Sequence, residues 1–219
     1  MSTISEENYL KTIFTLSNQL KDGVPTSNIA EHLSTKASSV TDMVQKLAAK
    51  NLVNYRKYQG VTLTTKGEKL AIKIVRKHRL WEFFLFQTLG FKWDEIHQIA
   101  EELEHIKSDI LIERLDKFLN NPQFDPHGDP IPDANGNFPE DESFPLSHLC
   151  KESKGIVASV DNKSASFLAY LDKLGIQLGT EIEVTELYDF DHSADIIING
   201  LNSAHLSYEA VKNILMIKI

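Results

Sequence analysis

The order of local patterns between residues 26 and 64 constrains the fold of this chain more than any other feature. A short helical pattern over 26–33 is followed by a three-residue turn and by a second helix over 37–50. Two short strand patterns then flank the dipeptide Gln59-Gly60, as in a tight hairpin. The second helix has one apolar stripe, made of Val40, Met43, Val44 and Leu47. Two helices, a tight turn and a hairpin in this order predict a winged helix-turn-helix.

Small polar residues at the start of the second helix lie off its apolar stripe, where they can reach base edges in the major groove. The hairpin places two basic residues where a wing meets phosphate. The candidate contacts to double-stranded DNA are Thr26, Ser27, Lys36, Ser38, Ser39, Thr41, Asp42, Lys46, Arg56 and Lys57. The alternative is an ordinary helical hairpin, and the attached basic hairpin argues against it.

The distribution of charge supports the same interpretation. Residues 1–80 hold 13 Lys and Arg against 6 Asp and Glu, a formal charge of +7, and the remaining residues carry −15. A basic segment on an acidic body suits a protein that presents one end to phosphates. The competing explanation is chance fluctuation of charge along the chain.

Beyond the hairpin, the sequence divides into a helical part and a β-rich part. Helical patterns cover 66–88, 94–107 and 108–119, and residues 120–145 are rich in Pro, Gly and Asp and predict an irregular segment. From residue 147 onward, alternating apolar and polar residues predict short strands. The sequence therefore predicts a mainly α chain with a small β domain. The predicted domains are 1–73 (winged helix-turn-helix), 74–146 (helical) and 147–219 (small β domain).

Aromatic residues are concentrated around the end of the long helix. The block consists of Trp81, Phe83, Phe84, Phe86, Phe91 and Trp93. Such a block suits a core and also a dimer interface, where aromatic side chains are enriched. Because a helix-turn-helix usually binds paired half-sites, we expect a homodimer.

Histidines and carboxylates share one edge of the helix predicted over 94–107. At about 100° per residue, this edge lies beside the apolar seam and holds His97, Glu101, Glu104 and His105. One helix earlier, His78 and Glu82 form an i, i+4 pair. Imidazole and carboxylate without a thiol form a donor set typical of first-row divalent metals. The competing explanation is a solvated acidic face with incidental histidines.

Two other metal-like patterns are weaker. The H-x-x-E-H motif of inverted zinc proteases needs His where this chain has Glu101. The run from Asp125 to Asp129 contains His127, but it is better explained as a proline-bounded loop than as a set of ligands.

Several segments together resemble the diphtheria-toxin-repressor family of metal-dependent regulators. They are Glu7-Asn8-Tyr9-Leu10, Ile29-Ala30-Glu31, Ser38-Ser39-Val40-Thr41, Leu63-Thr64-Thr65-Lys66-Gly67, Arg76-Lys77-His78-Arg79-Leu80-Trp81-Glu82, Glu101-Glu102-Leu103-Glu104-His105 with Ser108-Asp109, and Pro126-His127-Gly128-Asp129-Pro130-Ile131-Pro132. The resemblance covers nearly all of the chain. It implies a winged helix, a helical metal-binding and dimerisation domain and a C-terminal SH3-like (FeoA-like) β-barrel. It also implies a homodimer that binds operator DNA when Mn²⁺ or Fe²⁺ is abundant and represses metal-uptake genes.

The resemblance also implies a set of metal ligands. The family's ligand positions correspond to His78, Glu82, His97, Glu101, Glu104 and His105, with Asn8 able to offer an amide oxygen. Glu101 stands where iron-type members have Cys and manganese-type members have Glu, and a hard oxygen there favours Mn²⁺. Lys11 stands where the manganese type has a ligating Glu, and it cannot serve as a ligand. Lys163 and Ser166 lie near the positions of two further iron-type ligands.

These observations predict a metal-dependent transcriptional repressor rather than an enzyme. Two alternatives stay open, a metallohydrolase that uses the same His and Glu cluster and a winged-helix regulator whose metal is purely structural. The N-terminus has no signal-peptide pattern, and no apolar run is long enough to span a bilayer. With Cys150 as the single cysteine, these features predict a cytoplasmic protein without a membrane association.

Overall fold

A computed structural model describes residues 2–18, 20, 23–56, 59–93, 95–161 and 164–219. The chain divides into two compact units. The first unit comprises Met1–His78, Glu101–Leu115 and Pro132–Asn137, and the second comprises Arg79–Ala100, Asp116–Ile131 and Phe138–Ile219. The three predicted domains, with boundaries near residues 73 and 146, stay a prediction.

Helices dominate the first two thirds of the chain. The elements are α1 (Ile4–Ser17), α2 (Thr26–His32), α3 (Ala37–Ala49), β1 (Val53–Arg56), β2 (Gly60–Leu63), α4 (Thr65–Gln87), α5 (Ile96–Leu103) and α6 (Asp109–Phe118). The predicted order of two short helices, a turn and a hairpin is therefore present. Among the described residues, no helix combines the length and apolar character needed to cross a membrane.

The core of the first unit explains why α3 presents a polar face. Val40, Val44 and Leu47 are fully buried, and Met43 packs partly against the same core. The hairpin β1–β2 is antiparallel, and β2 also pairs with the segment before α2, because Val24 and Val61 exchange both backbone hydrogen bonds at 2.9 Å. The wing is thereby fixed to the helix-turn-helix by backbone as well as by side chains.

The start of α4 packs against the backbone that leads into the wing. Gly67 lies so close to Leu52 that a Cβ at this position would stand 1.9 Å from the Leu52 carbonyl oxygen. Thr64 stabilises this contact, because its hydroxyl donates to the Asn51 carbonyl at 2.8 Å and accepts from the Gly67 amide at 3.1 Å. The Thr-Thr-Lys-Gly segment therefore has a packing role that only a residue without a side chain allows.

Glu6 connects the first turn of α1 to the end of α3. Its carboxylate accepts from the Thr3 amide at 3.1 Å, which completes a capping box, and from Lys50 Nζ at 2.6 Å. Lys50 donates to Glu6 and thereby holds the pKa of this carboxyl below its ordinary value of 4.5. Because the folded pKa is lowered, the pair stabilises the fold at neutral pH, and this contribution is lost as the pH falls through the lowered value.

We therefore expect Glu6→Gln to reduce stability at neutral pH by less than about 1 kcal/mol, since Lys50 is half exposed. The deficit relative to wild type should vanish at strongly acidic pH. Urea unfolding of both proteins across the acid range measures this, and a deficit that does not change with pH would contradict the assignment.

The second unit contains the predicted β domain. Its elements are β3 (Phe144–Pro145), a 3-10 turn (Leu146–His148), β4 (Lys154–Val160), α7 (Ala165–Leu174), β5 (Glu181–Leu187), β6 (Ala194–Ile198), β7 (Asn202–Leu206), α8 (Tyr208–Asn213) and β8 (Ile214–Lys218). All neighbouring strands are antiparallel, in the order β3-β8-β4-β5-β6-β7. Alternate residues such as Ile182 and Val184 are buried, as period-2 patterning requires. The prediction of a mainly α chain with a small β domain is confirmed.

Candidate metal centre

The helix predicted over 94–107 is shorter than the sequence pattern indicates. It ends at Leu103, so Glu104 and His105 lie in the turn that follows, and Asp94 falls outside the described residues. Two contacts favour this ending. Lys77 Nζ donates to the Ile106 carbonyl at 2.8 Å, and the Ser108 hydroxyl accepts from the Leu111 amide at the start of α6. The helical wheel was therefore wrong for Glu104 and His105, which reach their positions through a turn.

Glu104 is the centre of a buried polar cluster in the first unit. Its side chain has no exposed surface, and its Oε2 lies 2.7 Å from His78 Nδ1 and 2.6 Å from Lys11 Nζ. Glu101 Oε1 lies 2.5 Å from the same Lys11 ammonium and 3.9 Å from His78 Nδ1. The structure thus brings three of the predicted ligands together, and it adds a lysine among them.

His105 is oriented by a carboxylate from α1. Its Nδ1 lies 2.7 Å from Glu7 Oε2, and Glu7 also accepts from the Ser2 hydroxyl at 2.6 Å. A carboxylate at Nδ1 holds the proton there and leaves the lone pair on Nε2, which is how metal-binding histidines are commonly oriented. His105 Nε2 lies 3.8 Å from Glu104 Oε1, close enough for both atoms to share one ion. Sequence analysis did not assign a role to Glu7.

Two buried oxygen atoms of the first unit are suited to bind a cation. Within the part of the chain that the structure describes, Asn8 Oδ1 and Glu104 Oε1 have no hydrogen-bond partner. Leaving a buried acceptor unsatisfied costs about 1–3 kcal/mol, so such atoms call for a ligand. Carboxylate oxygen, amide oxygen and imidazole nitrogen without a thiol suit Mn²⁺ or Fe²⁺. The residues present therefore fit a divalent ion of this kind.

A second group of donors lies in the second unit. Glu82, Asp125 and His127 are all buried, and their donor atoms lie within 4.8 Å of one another. His97 Nδ1 lies 3.1 Å from Glu82 Oε1, and His127 Nδ1 lies 3.7 Å from Glu82 Oε2. The predicted ligands Glu82 and His97 are thus neighbours. Asp125 and His127 were assigned to an ordinary loop from the sequence, although a His and an Asp within one short turn were a usable signal.

The loop that carries His127 is tightly fixed. Asp125 Oδ1 accepts from the backbone amides of His127 and Asp129, and the His127 ring stacks on Trp93 with centroids 5.7 Å apart. Gly128 has φ +82, and a Cβ there would stand 2.0 Å from the Ala158 carbonyl oxygen. A loop held in this way can present an imidazole at a fixed position, which a coordination site requires.

The predicted DNA-contacting residues lie on the surface of the first unit. Ser38, Ser39, Asp42 and Lys46 of α3 are exposed, as are Ser27, Lys36 and Arg56, and Thr26 is partly buried. Thr41 differs from the expectation of a free hydroxyl, because it donates to the Ala37 carbonyl at 3.1 Å. Lys57 lies outside the described residues. Ser39, Asp42 and Lys46 line a groove of about 560 Å³ that Asn8 of α1 also lines.

Three family models match successive parts of the chain. Residues 1–61 match the N-terminal DNA binding domain of the iron dependent repressors, and residues 64–133 match their metal binding and dimerisation domain. Residues 144–218 match the FeoA domain.

Several relatives of this chain are transcription regulators. The iron-dependent repressor IdeR of Mycobacterium leprae (strain TN) is 38% identical over 128 residues, which cover 58% of this chain and 54% of IdeR. The chain thus spans about half the length of this relative. The HTH-type transcriptional regulator MntR of Lysinibacillus sphaericus (strain C3-41) is 42% identical over 115 residues, covering 52% of this chain and 81% of MntR.

Solved structures match over almost the full chain. A manganese-dependent transcriptional repressor in complex with manganese has a TM-score of 0.87 and 35% identity, and the match covers 98% of this chain and 100% of that one. ScaR with bound Zn²⁺ has a TM-score of 0.77 and 34% identity, with 98% and 99% covered. The chain therefore belongs to the family of iron-dependent repressors, which also includes manganese-dependent regulators and the diphtheria toxin repressor.

Proposed function

We propose that this chain is a cytoplasmic, Mn²⁺- or Fe²⁺-dependent repressor that binds operator DNA as a homodimer and controls genes for metal uptake. The observation that carries the proposal is the buried donor cluster around Glu104 in a unit that also contains a winged helix-turn-helix. The unpartnered Oε1 of Glu104 and Oδ1 of Asn8, both in this unit, are suited to bind a cation, and the exposed polar face of α3 is suited to contact DNA. Relatives that are transcription regulators also favour this function over the metallohydrolase alternative.

The proposed ligands form one set in each unit. In the first unit they are Asn8, His78, Glu101, Glu104 and His105, and in the second they are Glu82, His97, Asp125 and His127. A bound ion would neutralise the carboxylates and connect donors from separate segments of the chain. The carboxylate of Glu101, in place of a thiol, supports Mn²⁺ as the preferred ion.

Helix α1 supplies a route from the ion to the DNA-binding helix. Glu7 holds His105 of the cluster, and the adjacent Glu6 holds Lys50 at the end of α3. An ion that fixes His105 therefore also fixes α1 and, through it, the position of α3. This coupling is the proposed difference between a regulatory metal and a purely structural one.

A metal titration tests the function. We expect Mn²⁺ to raise the operator affinity of the wild-type protein by about 5–150-fold over chelator, which corresponds to a coupling of about 1–3 kcal/mol. Fluorescence anisotropy with labelled operator, with and without Mn²⁺, measures the change. A protein that folds and binds operator equally well in both conditions would have a structural metal only, and hydrolytic turnover without DNA binding would favour the enzyme.

Substitutions on α3 test the DNA-contacting face. We expect Lys46→Ala to weaken binding to all sequences and to reduce the salt dependence by about one phosphate contact. Asp42→Ala should instead change the sequence preference, because a carboxylate can accept from a cytosine amino group. Binding isotherms at several salt concentrations on operator and on unrelated DNA separate the two effects, and wild-type behaviour of both variants would contradict the assignment of α3.

A further inference from the structure

The ammonium group of Lys11 lies between two carboxylates of the first-unit cluster, at a position that a metal ion could otherwise occupy. Its Nζ is 2.5 Å from Glu101 Oε1 and 2.6 Å from Glu104 Oε2, and its side chain is only 15% exposed. His78 Nδ1 lies 2.7 Å from the same Glu104 oxygen. Two carboxylate oxygens and an imidazole nitrogen thus surround the position of one cation, and the cation present there belongs to the protein.

The two oxygens of Glu104 have different environments. Oε2 is engaged by Lys11 and His78, whereas Oε1 is buried and has no hydrogen-bond partner among the described residues. Asn8 Oδ1, one turn before Lys11 on α1, is a second buried oxygen of the first unit that has no hydrogen-bond partner among the described residues. The Oε1 atom of Glu104 is therefore an unsatisfied acceptor that a cation could bind, whereas Oε2 is already engaged by Lys11 and His78.

The formal charges agree with this division. Three carboxylates belong to the cluster, those of Glu7, Glu101 and Glu104, and Lys11 offsets one of them. For these four side chains the remaining formal charge is −2, which one divalent cation balances. A second divalent ion beside Glu101 would stand within a few ångströms of the ammonium and would be repelled by it.

We propose that Lys11 is a built-in cation that takes the place of one metal ion, so that the first-unit cluster binds a single divalent ion on the Oε1 side of Glu104. This proposal rests on the proposed function, because it concerns the ion that the repressor would sense. It also implies that Lys11 keeps its contacts with Glu101 and Glu104 when no metal is bound, since a buried carboxylate needs a partner both with and without metal.

Replacing Lys11 with glutamate tests the proposal through the count of bound ions. The variant Lys11→Glu changes the cluster charge from −2 to −4, which matches two divalent ions. Lys11→Arg keeps the cation, and Lys73→Glu makes the same charge change at an exposed position of α4. Each substitution is made in two parents, the wild type and Glu82→Gln, and the latter lacks one donor of the second-unit group. The difference in bound manganese between a variant and its own parent then reports the ions bound by the first unit.

Bound manganese is measured by elemental analysis after gel filtration, and electron paramagnetic resonance distinguishes isolated Mn²⁺ from a spin-coupled pair. We expect an isolated-ion spectrum for the parent, Lys11→Arg and Lys73→Glu, and one additional ion with a coupled spectrum for Lys11→Glu. A coupled pair in the parent would overturn the proposal, as would a folded Lys11→Glu that gains no ion. If Lys11→Glu does not fold, the spectrum of the parent alone tests the proposal, because a coupled pair of ions there contradicts it and isolated Mn²⁺ supports it.

These outcomes are separate from the test of function. A parent that binds Mn²⁺ without a change in operator affinity contradicts the proposed function, and the count of coupled ions still decides the role of Lys11.

Discussion

Glu104→Ala is expected to lower the free energy of unfolding by about 3–5 kcal/mol in the absence of metal, which is the usual effect of removing one partner from a buried ion pair. Glu104 has no exposed side-chain surface, and its loss leaves the Lys11 ammonium and the His78 ring short of their shared acceptor. The same change removes the oxygen that faces His105 Nε2. We therefore also expect the Mn²⁺ response of operator binding to be lost.

The matched control is Glu101→Ala, which removes the other carboxylate bound to Lys11. Its side chain is 35% exposed, so water can replace it, and we expect a loss of at most about 1 kcal/mol in stability. Urea unfolding in chelator gives both values, and anisotropy titration gives the metal response. Equal destabilisation by the two variants would contradict the central position assigned to Glu104.

Gly67→Ala is expected to destabilise the protein by about 1–3 kcal/mol, the usual cost of overpacking a filled site. Helix propensity alone predicts the opposite sign, because Ala is favoured over Gly within a helix by about 1 kcal/mol. We expect overpacking to outweigh helix propensity, since the new Cβ would stand 1.9 Å from the backbone oxygen of Leu52, which cannot rotate away. Because Leu52 precedes β1, we also expect the displaced backbone to weaken DNA binding through the wing.

Lys69→Ala, at an exposed position two residues later on α4, is the control for propensity and should change stability by less than about 0.5 kcal/mol. Chemical unfolding of the three proteins measures the difference. A stabilised Gly67→Ala would show that the contact with Leu52 relaxes without cost.

Much of the fold could be predicted because local patterns and tertiary packing agree. The stripe of Val40, Val44 and Leu47 indicated the buried face of α3, and the Gln59-Gly60 turn indicated the wing. The end of α5 could not be predicted in this way. The apolar period continues to Ile106, but Lys77 and Ser108 favour a turn before it, and both act through contacts that periodicity does not report.

The candidate site was predictable by residue type and less so by geometry. His and Glu at helical spacing indicated a donor cluster, and Glu82 with His97 lie together as neighbouring donors. Asp125 and His127 were assigned to a loop because they are distant in sequence from Glu82, and they lie beside it as candidate donors only in the folded chain. The ion pairs of Lys11 span about ninety residues, so no local pattern contains them.

The adjacent carboxylates of Glu6 and Glu7 give the proposed switch two independent controls. Glu7 contacts a histidine of the cluster, so on the proposed function it would affect the concentration of metal at which the protein responds. Glu6 contacts a half-exposed lysine at the end of α3, and salt screens this attraction. On the proposed coupling, Glu6 would therefore affect how strongly α1 and α3 move together. Both properties would then be altered by neighbouring positions that are neither proposed ligands nor proposed DNA contacts. On the proposed function, substitutions at these two positions would change the sensitivity to metal without altering a proposed ligand or the recognition helix.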